Sequence, residues 1–178
     1  DEQSLLAPAL LCLPGRPAVI TPIQRSYAEP LLGHSVQGSL LPSIRASLYT
    51  DRHYICASRA LTHFRRGTLI LFYESTRGKG RSAIIAIARV RQAYLRQCED
   101  MCSEDLDQSV LSSTNLGLVG VGKTKTVAVF DNIFVLPHSV PLATLRRIGC
   151  GADTQLISTN PITPMQLQEI LQEAFPHG

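Results

Sequence analysis

Continuous apolar runs predict several short strands along the chain. Ala18–Ile23 is apolar and β-branched, and its Pro22 restricts that strand to a sheet edge or a strand end, because proline lacks the N–H that a ladder needs. Residues 68–73 and 83–95 predict two further strands. The second of these opens with the run AIIAIARV, which is apolar at successive positions, as expected for a central strand with both faces buried.

Three further segments are weaker or interrupted. Residues 126–136 are strongly apolar, and Asp131-Asn132 interrupts them as a turn or bulge. Residues 48–58 predict a strand or an extended segment, and residues 155–158 predict a last short strand. These segments bring the expected strands to a number that suits one small sheet.

Apolar residues at helical spacing predict three helices. Residues 24–32 and 142–148 form short helices, and residues 165–175 carry an apolar stripe along one face. Thr163 suits the N-cap of this last helix, and Pro164 suits its first helical position, where the missing N–H has no partner to lose.

The order of these elements predicts the class of fold. Strand, helix, several strands, short helix and terminal helix follow one another without a repeat or a regular βαβ alternation. This order favours an α+β domain around a small mixed or antiparallel sheet that curls into a barrel. We expect a linker or arm at residues 1–17 and a single domain at residues 18–178. The acidic start without a Met indicates a piece of a longer polypeptide.

Composition limits the class of protein and its cellular location. The 44% hydrophobic and 17% charged fractions are ordinary for a folded soluble protein, and no apolar run approaches the roughly 20 residues that span a bilayer, so we expect no membrane partner. Five cysteines, an odd number in a chain of this size, favour a reducing, cytoplasmic location. Cys98 and Cys102, in an acidic surface helix expected at residues 98–108, have the spacing of half a metal site. No second pair follows, so the sequence predicts no metal and no cofactor.

Charge is strongly segregated along the chain. Residues 52–96 hold ten basic side chains and Glu74 as their only acid, whereas the rest of the chain holds seven basic and thirteen acidic side chains. The net charge of +3 therefore hides a segment with a large positive excess. Such a segment predicts a basic face that attracts polyanions, or arginines that alternate onto a solvated face of a sheet.

A basic, glycine-containing loop at residues 75–81 connects two of the predicted strands and follows an aromatic strand end. Cations beside an aromatic side chain suit a ligand with phosphates and a flat face, hence nucleic acid or a nucleotide. Glu74 is a candidate acid/base or an acceptor from a base edge, and is equally suited to plain charge balance. The expected phosphate-binding and stacking residues are Arg65, Arg66, Tyr73, Arg77, Lys79, Arg81 and Tyr27.

Residues 117–124, GLVGVGKT, satisfy the pattern of a phosphate-cradling P-loop. A true P-loop lies between a buried strand and a helix, whose N-terminus meets the phosphates. Here a polar segment precedes the pattern and a β-branched segment follows it, so the context favours a glycine-rich loop that enters a strand. Lys123 and Lys125 are then expected to extend the basic surface without hydrolysis.

Three stretches resemble the PUA-like superfamily, which includes ASCH and EVE domains. VITPIQRSYAEPLL is similar to its opening strand and helix, RRGTLILFYES with GRSAIIAIARV to its paired barrel strands, and FDNIFVLPHSVPLATLRRIG to its late strand and short helix. The resemblance covers residues 19–175 and implies a PUA-like pseudo-barrel with peripheral short helices. It also extends to the version that follows a GNAT-type acetyltransferase, which implies such an N-terminal partner domain.

The resemblance implies a cleft that takes RNA, DNA or a modified base, and three functions follow from it. The first is a non-enzymatic nucleic-acid-binding module of a larger protein. The second is an amidohydrolase that acts on a modified nucleoside. One ASCH branch does so with a Lys and a Thr after the first helix and a Glu on a barrel strand, whereas residues 33–36 here, GHSV, contain no Lys, and Glu74 is the candidate acid. The third is a structural accessory domain of an acetyltransferase.

Overall fold

A computed structural model describes residues 15–32, 51–76, 79–109, 119 and 122–176. Within these ranges the strands are β1 (Ala18–Ile23), β2 (Arg52–Ala57), β3 (Leu69–Glu74), β4 (Ala83–Gln97), β5 (Thr124–Pro141) and β6 (Asn160–Ile162). The α-helices are α1 (Arg25–Leu32), α2 (Ser103–Asp107), α3 (Leu142–Arg147) and α4 (Pro164–Ala174), and two 3-10 helices span Ser58–His63 and Cys98–Asp100. No helix in these ranges has the length and apolar character needed to cross a membrane.

The six strands form one mixed sheet in the order β2-β5-β4-β3-β1-β6. β1 pairs with β3 in parallel, and the other neighbours are antiparallel. β6 pairs only with Ala18, Val19 and Ile20, so Pro22 lies beyond that pairing, at the end of its strand. The α+β class, the mixed sheet and the position of Pro22 are therefore confirmed.

The sheet is curled but not closed by backbone pairing among the described residues. Its ladder shifts register at three places between β4 and β5, and Asn132 has a left-handed φ of +50°, so the predicted bulge at Asp131-Asn132 is confirmed. Tyr54 on β2 donates its hydroxyl hydrogen to the carbonyl oxygen of Pro22 on β1, at 2.7 Å. Because three strands separate β2 from β1 in the sheet order, this contact requires a strongly curled sheet.

Two cores cover the two faces of the sheet. Along β3, Leu69, Leu71 and Tyr73 face one core, which α3 and α4 complete with Leu145, Leu167, Ile170 and Ala174. Ile70 and Phe72 face the other core, where α1 and the 3-10 helix Ser58–His63 pack against them. The first half of β4 is buried throughout, at Ala83–Ala88, which confirms the prediction of a central strand.

Two expected elements differ from the structure. Residues 155–158 form a turn rather than a strand, because Gln155 and Leu156 donate their backbone N–H groups to Ala152, and the last strand is β6. The acidic stretch at residues 98–108 is not a surface helix: it divides into a 3-10 turn and the short α2, and Asp105 within it is only 1% exposed. Asp105 is held inside by the nearby Cys102 and by side chains of two strands, β2 and β4.

Candidate functional site

A cleft of about 810 Å³ opens between β1 with α1 on one side and β2 with the 3-10 helix Ser58–His63 on the other. It continues past the end of β3 to the turn at residues 153–160. The curl of the sheet creates this opening, because it brings β2 over the end of β1. The lining residues that bear on function are Tyr27, His53, Tyr54, Arg59, Tyr73, Ser75, Thr76, Ile157 and Asn160.

Three tyrosines line the cleft, and they differ in how much of each ring is exposed to a ligand. Tyr54 packs edge-on against Phe72 with 5.9 Å between ring centroids, and burial raises the pKa of its phenol, which stays neutral. Tyr73 is 4% exposed and belongs to the core beneath α3 and α4, and burial raises the pKa of its phenol too. Tyr27 is half-buried at the edge of the other core. Of the two predicted stacking residues, Tyr27 therefore presents more ring surface to a ligand than Tyr73.

The basic loop at residues 75–81 is tied down at its base. Glu74 is 2% exposed, and its Oε1 accepts the backbone N–H of Arg81 at 2.8 Å. A Cβ at Gly80 would lie 1.8 Å from the carbonyl oxygen of Ser75, so only glycine fits this close approach. Arg25 on α1 donates to the carbonyl oxygen of Lys79 at 3.4 Å, which holds the loop beside the cleft.

Glu74 thus fastens the basic loop, with one carboxylate oxygen bound to the Arg81 amide. Glu74 is absent from the residues that line the cleft, whereas Tyr73, Ser75 and Thr76 on either side of it are present. Arg77, a predicted phosphate-binding residue, lies outside the described residues. So do residues 33–36, on which the expectation of a nucleoside hydrolase also depends.

Acids outside residues 52–96 pair with Arg89, Arg91 and Arg96, three of the ten cations in the basic segment. Asp131 accepts two hydrogen bonds from Arg89, at 2.9 and 2.8 Å, and these bonds raise the pKa of that guanidinium. Asp51 pairs with Arg91 at 2.7 Å. The third acid, Asp105, lies 3.2 Å from Arg96. All three acids lie outside residues 52–96, so the charge excess of that segment overstates its basic surface.

The remaining exposed cations divide between two ends of the molecule. Arg65 and Arg66 form the turn before β3, and Lys79 and Arg81 follow its far end. Since β3 has six residues, the two pairs lie on the order of 20 Å apart. Within the described ranges no carboxylate pairs with these four side chains. Lys79 and Arg81 belong to the loop whose first residues, Ser75 and Thr76, line the cleft, and Arg59 lines it from the 3-10 helix.

The glycine-rich stretch at residues 117–124 has no P-loop architecture where the structure describes it. Thr124 begins β5, so a strand and not a helix follows the pattern. Lys123 is exposed, as expected. Lys125 is only 1% exposed and donates its ammonium hydrogens to the carbonyl oxygen of Val119, so it does not extend the basic surface.

A buried polar cluster around Asp105 supports one wall of the cleft, and no sequence motif indicated it. Its carboxylate accepts hydrogen bonds from the Tyr94 hydroxyl at 2.5 Å and the Cys102 thiol at 3.1 Å. The Nδ1 atom of His53 lies 3.3 Å from Oδ1 of the same carboxylate, and Arg96 contacts Oδ2. The partners come from β2, β4 and the start of α2, so the cluster exists only in the folded chain.

Burial and charge act in opposite senses on this cluster. Burial lowers the pKa of His53, although Asp105 and Glu104 oppose that shift. For Asp105 burial alone would raise the pKa, but the hydrogen bonds from Tyr94 and Cys102 and the nearby positive charges bring that pKa below its usual value. His53 is therefore held neutral next to an ionised carboxylate at the cleft wall.

No protein-family model and no curated protein matches the chain. Solved structures with the same fold do exist. A serine-to-alanine mutant of an ASCH protein from Zymomonas mobilis superposes with a TM-score of 0.67 at 11% identity, covering 90% of this chain and 98% of its own. The chain therefore has the fold of PUA-like domains of the ASCH and EVE type, which confirms the resemblance at the level of fold.

Two more solved structures extend that similarity. Human THYN1, solved in complex with DNA that contains 5-methylcytosine, gives a TM-score of 0.52 at 12% identity, covering 91% of this chain and 99% of its own. The N-terminal domain of McrB from Staphylothermus marinus gives 0.53 at 11% identity, covering 87% of this chain and 93% of its own. At such identities the shared property is the fold.

Proposed function

We propose that the protein is a nucleic-acid-binding module, in which the cleft takes one base of an RNA or DNA strand and the basic loop holds the neighbouring phosphates. One observation carries the proposal: a loop whose first residues line a cleft together with the half-buried Tyr27 carries Lys79 and Arg81, which are exposed and without a carboxylate partner among the described residues. The shared fold of THYN1, which is solved with 5-methylcytosine DNA, supports it.

The dimensions and surface chemistry of the cleft suit a nucleotide. A volume of about 810 Å³ accommodates a base with its sugar. A base stacked on an aromatic ring gains about 1–3 kcal/mol, and Tyr27 offers such a ring. Arg59 on the opposite rim places a cation on the second side of the opening, so the backbone on either side of the base finds a positive partner.

We further propose that binding proceeds without chemistry on the ligand. The position of Glu74 supports this, because its carboxylate is buried, fastens the basic loop and does not line the cleft. A module of this kind suits a larger protein, and the GNAT-type partner domain and cytoplasmic location remain parts of the proposal.

Two charge-matched double variants test the function. Lys79→Ala with Arg81→Ala removes two cations at the cleft, and Arg65→Ala with Arg66→Ala removes two at the opposite end of β3. Fluorescence anisotropy with short single-stranded RNA, single-stranded DNA and duplex DNA, at several salt concentrations, measures both. We expect the first variant to weaken binding at least about tenfold and to reduce the slope of log K against log salt by about 1.4 for single strands.

The second double variant carries the same net charge, so we expect it to bind within about threefold of the unmodified protein, since long-range attraction is screened over about 8 Å at physiological salt. Equal losses in the two variants would mean non-specific attraction and no site at the cleft. No binding of any of the three nucleic acids would refute the proposed function.

A further inference from the structure

The turn at residues 152–160 presents an isoleucine to solvent at the mouth of the cleft. Leu156 is 7% exposed and packs into the core beneath α3 and α4, whereas Ile157, the next residue, is 71% exposed. Ile157 nevertheless lines the cleft, together with Ser158 and Asn160. An apolar side chain thus projects from the rim of the cavity to which the proposed function assigns a base.

The turn that carries Ile157 is firmly fastened. Asn160 donates its side-chain amide to the carbonyl oxygens of Gln155 at 2.7 Å and Ser158 at 3.1 Å. The two carbonyl oxygens fix the orientation of this amide, because the flipped amide would face them with an oxygen. Thr159 and Thr21 share a buried hydroxyl–hydroxyl hydrogen bond of 3.2 Å, which ties the turn to β1. Ile157 is therefore held in place before any ligand arrives, so little conformational entropy remains to be lost on contact.

Ile157 and the start of the basic loop border the same cleft. Ser75 and Thr76, the first residues of that loop, line the same cleft as Ile157. If a strand that is held by this loop inserts a base into the cleft, the exposed Ile157 at the rim is available to contact the adjoining base. When a base leaves its stack, its neighbours lose stacking contacts on one face, and apolar side chains are suited to fill such gaps.

We propose that Ile157 is a wedge residue, which packs against the base next to the one held in the cleft and occupies the gap left in the stack. This inference rests on the proposed function. It concerns only how the strand is held and involves no bond making or breaking. Two changes test it, Ile157→Ser and Met165→Ser. Met165 is 74% exposed and lies on α4, outside the cleft, so it is a matched control for loss of an exposed apolar side chain.

The probe is a short single-stranded DNA in which 2-aminopurine lies between cytosine and 5-methylcytosine, with a dye at one end. Its anisotropy reports binding, and the fluorescence of 2-aminopurine rises when its stacking on neighbouring bases is lost. We expect the unmodified protein to change the 2-aminopurine signal on binding. Ile157→Ser should remove at least about half of that change and weaken binding by no more than about tenfold, as expected for one apolar contact, while Met165→Ser leaves both unchanged.

The outcomes separate this inference from the function on which it rests. If all three proteins bind and give the same 2-aminopurine signal, Ile157 is not a wedge, although the nucleic-acid site stands. If Met165→Ser removes the signal equally, the effect belongs to general surface hydrophobicity and the assignment to Ile157 is overturned. If the unmodified protein does not bind this probe but binds RNA or duplex DNA in the first titration, the wedge on single-stranded DNA is refuted and the site stands; if it binds none of them, both are refuted. Both substitutions are at exposed positions, so we expect unchanged thermal unfolding.

Discussion

At the scale of single residues, Asp105 and His53 show how a polar cluster is built from positions that look unremarkable in sequence. Asp105 lies in an acidic stretch and His53 is one of five scattered histidines. In the structure they are 1% and 5% exposed and lie side by side. No local pattern encodes this arrangement, because Tyr94 and Arg96 reach the carboxylate from a strand whose pairing depends on the whole sheet.

The lowered pKa of His53 predicts a loss of stability in mild acid. The unfolded chain binds a proton at His53 near pH 6.5, whereas the folded protein resists it, so the stabilisation is present above pH 6.5 and is lost as the pH falls below that value. We expect the free energy of unfolding, measured by urea denaturation, to fall between pH 7 and pH 5 by at most about 1.4 kcal/mol per pH unit for this one group.

His53→Gln should flatten that dependence, whereas His138→Gln, at an exposed position on β5, should leave it unchanged. Asp105, with its pKa below the usual value, adds a second loss at still lower pH. If the two histidine variants have the same pH profile as the unmodified protein, the His53 environment does not contribute.

At the scale of elements, the signals for the start of the last helix were confirmed residue by residue. Thr163 accepts the backbone N–H of Gln166 at 3.2 Å, and the Gln166 side chain accepts the N–H of Thr163 at 2.9 Å, which completes a capping box. Pro164 begins α4, so the predicted cap and first position are both confirmed. Such signals are local: a hydroxyl, a proline and an apolar stripe suffice to define a helix start wherever the helix packs.

The cap predicts a measurable loss when it is removed. Thr163→Ala deletes the acceptor for the Gln166 amide and should lower the free energy of unfolding by about 1 kcal/mol. Thr154→Ala, at an exposed threonine in the neighbouring turn, is the matched control and should change it by less than about 0.5 kcal/mol. Equal chemical denaturation midpoints for the two variants would show that the cap does not stabilise α4.

The predicted strands agree with the structure where they are long and apolar, and the prediction of the last, short strand was wrong. β1 spans the predicted Ala18–Ile23, and β4 and β5 extend beyond their predicted ends because long antiparallel pairing with each other continues past the apolar runs. β6 has three residues, one of them proline, and gains its hydrogen bonds only from β1. A strand this short forms only because it pairs with β1, so its own sequence shows no alternation of apolar and polar residues.

At the scale of the whole molecule, the cleft and the distribution of charge are tertiary properties. The basic loop was predictable from the chain, since its cations and its flanking strands are contiguous. The cleft was not, because it depends on the curl that brings Tyr54 to the Pro22 carbonyl. The predicted phosphate-binding set was likewise divided by the length of β3, and it lost Lys125 to the interior.

Among the described residues, some basic side chains of segment 52–96 pair with acids and others do not, so we expect the first group to affect stability and the second to affect nucleic-acid binding. Arg89→Ala leaves the buried Asp131 without its two hydrogen bonds from Arg89 and should lower the free energy of unfolding by about 1–2 kcal/mol. We expect nucleic-acid affinity to change less than about twofold, because a neutralised arginine attracts no phosphate. Arg91→Ala breaks a more exposed pair, so it should lower the free energy of unfolding less than Arg89→Ala does. A large affinity loss for Arg89→Ala would place the binding surface on this part of the sheet.

The position of β1 between β3 and β6 has a consequence for how the protein folds. β1 pairs with residues about fifty positions later on one side and about 140 positions later on the other, and Thr21 and Thr159 are 138 positions apart. Contacts of such sequence separation form late and slowly, since the entropy of closing long loops must be spent before they stabilise the chain. The hairpins of β3, β4 and β5 can assemble beforehand. The cleft is therefore completed at the end of folding, when the early and late parts of the chain meet.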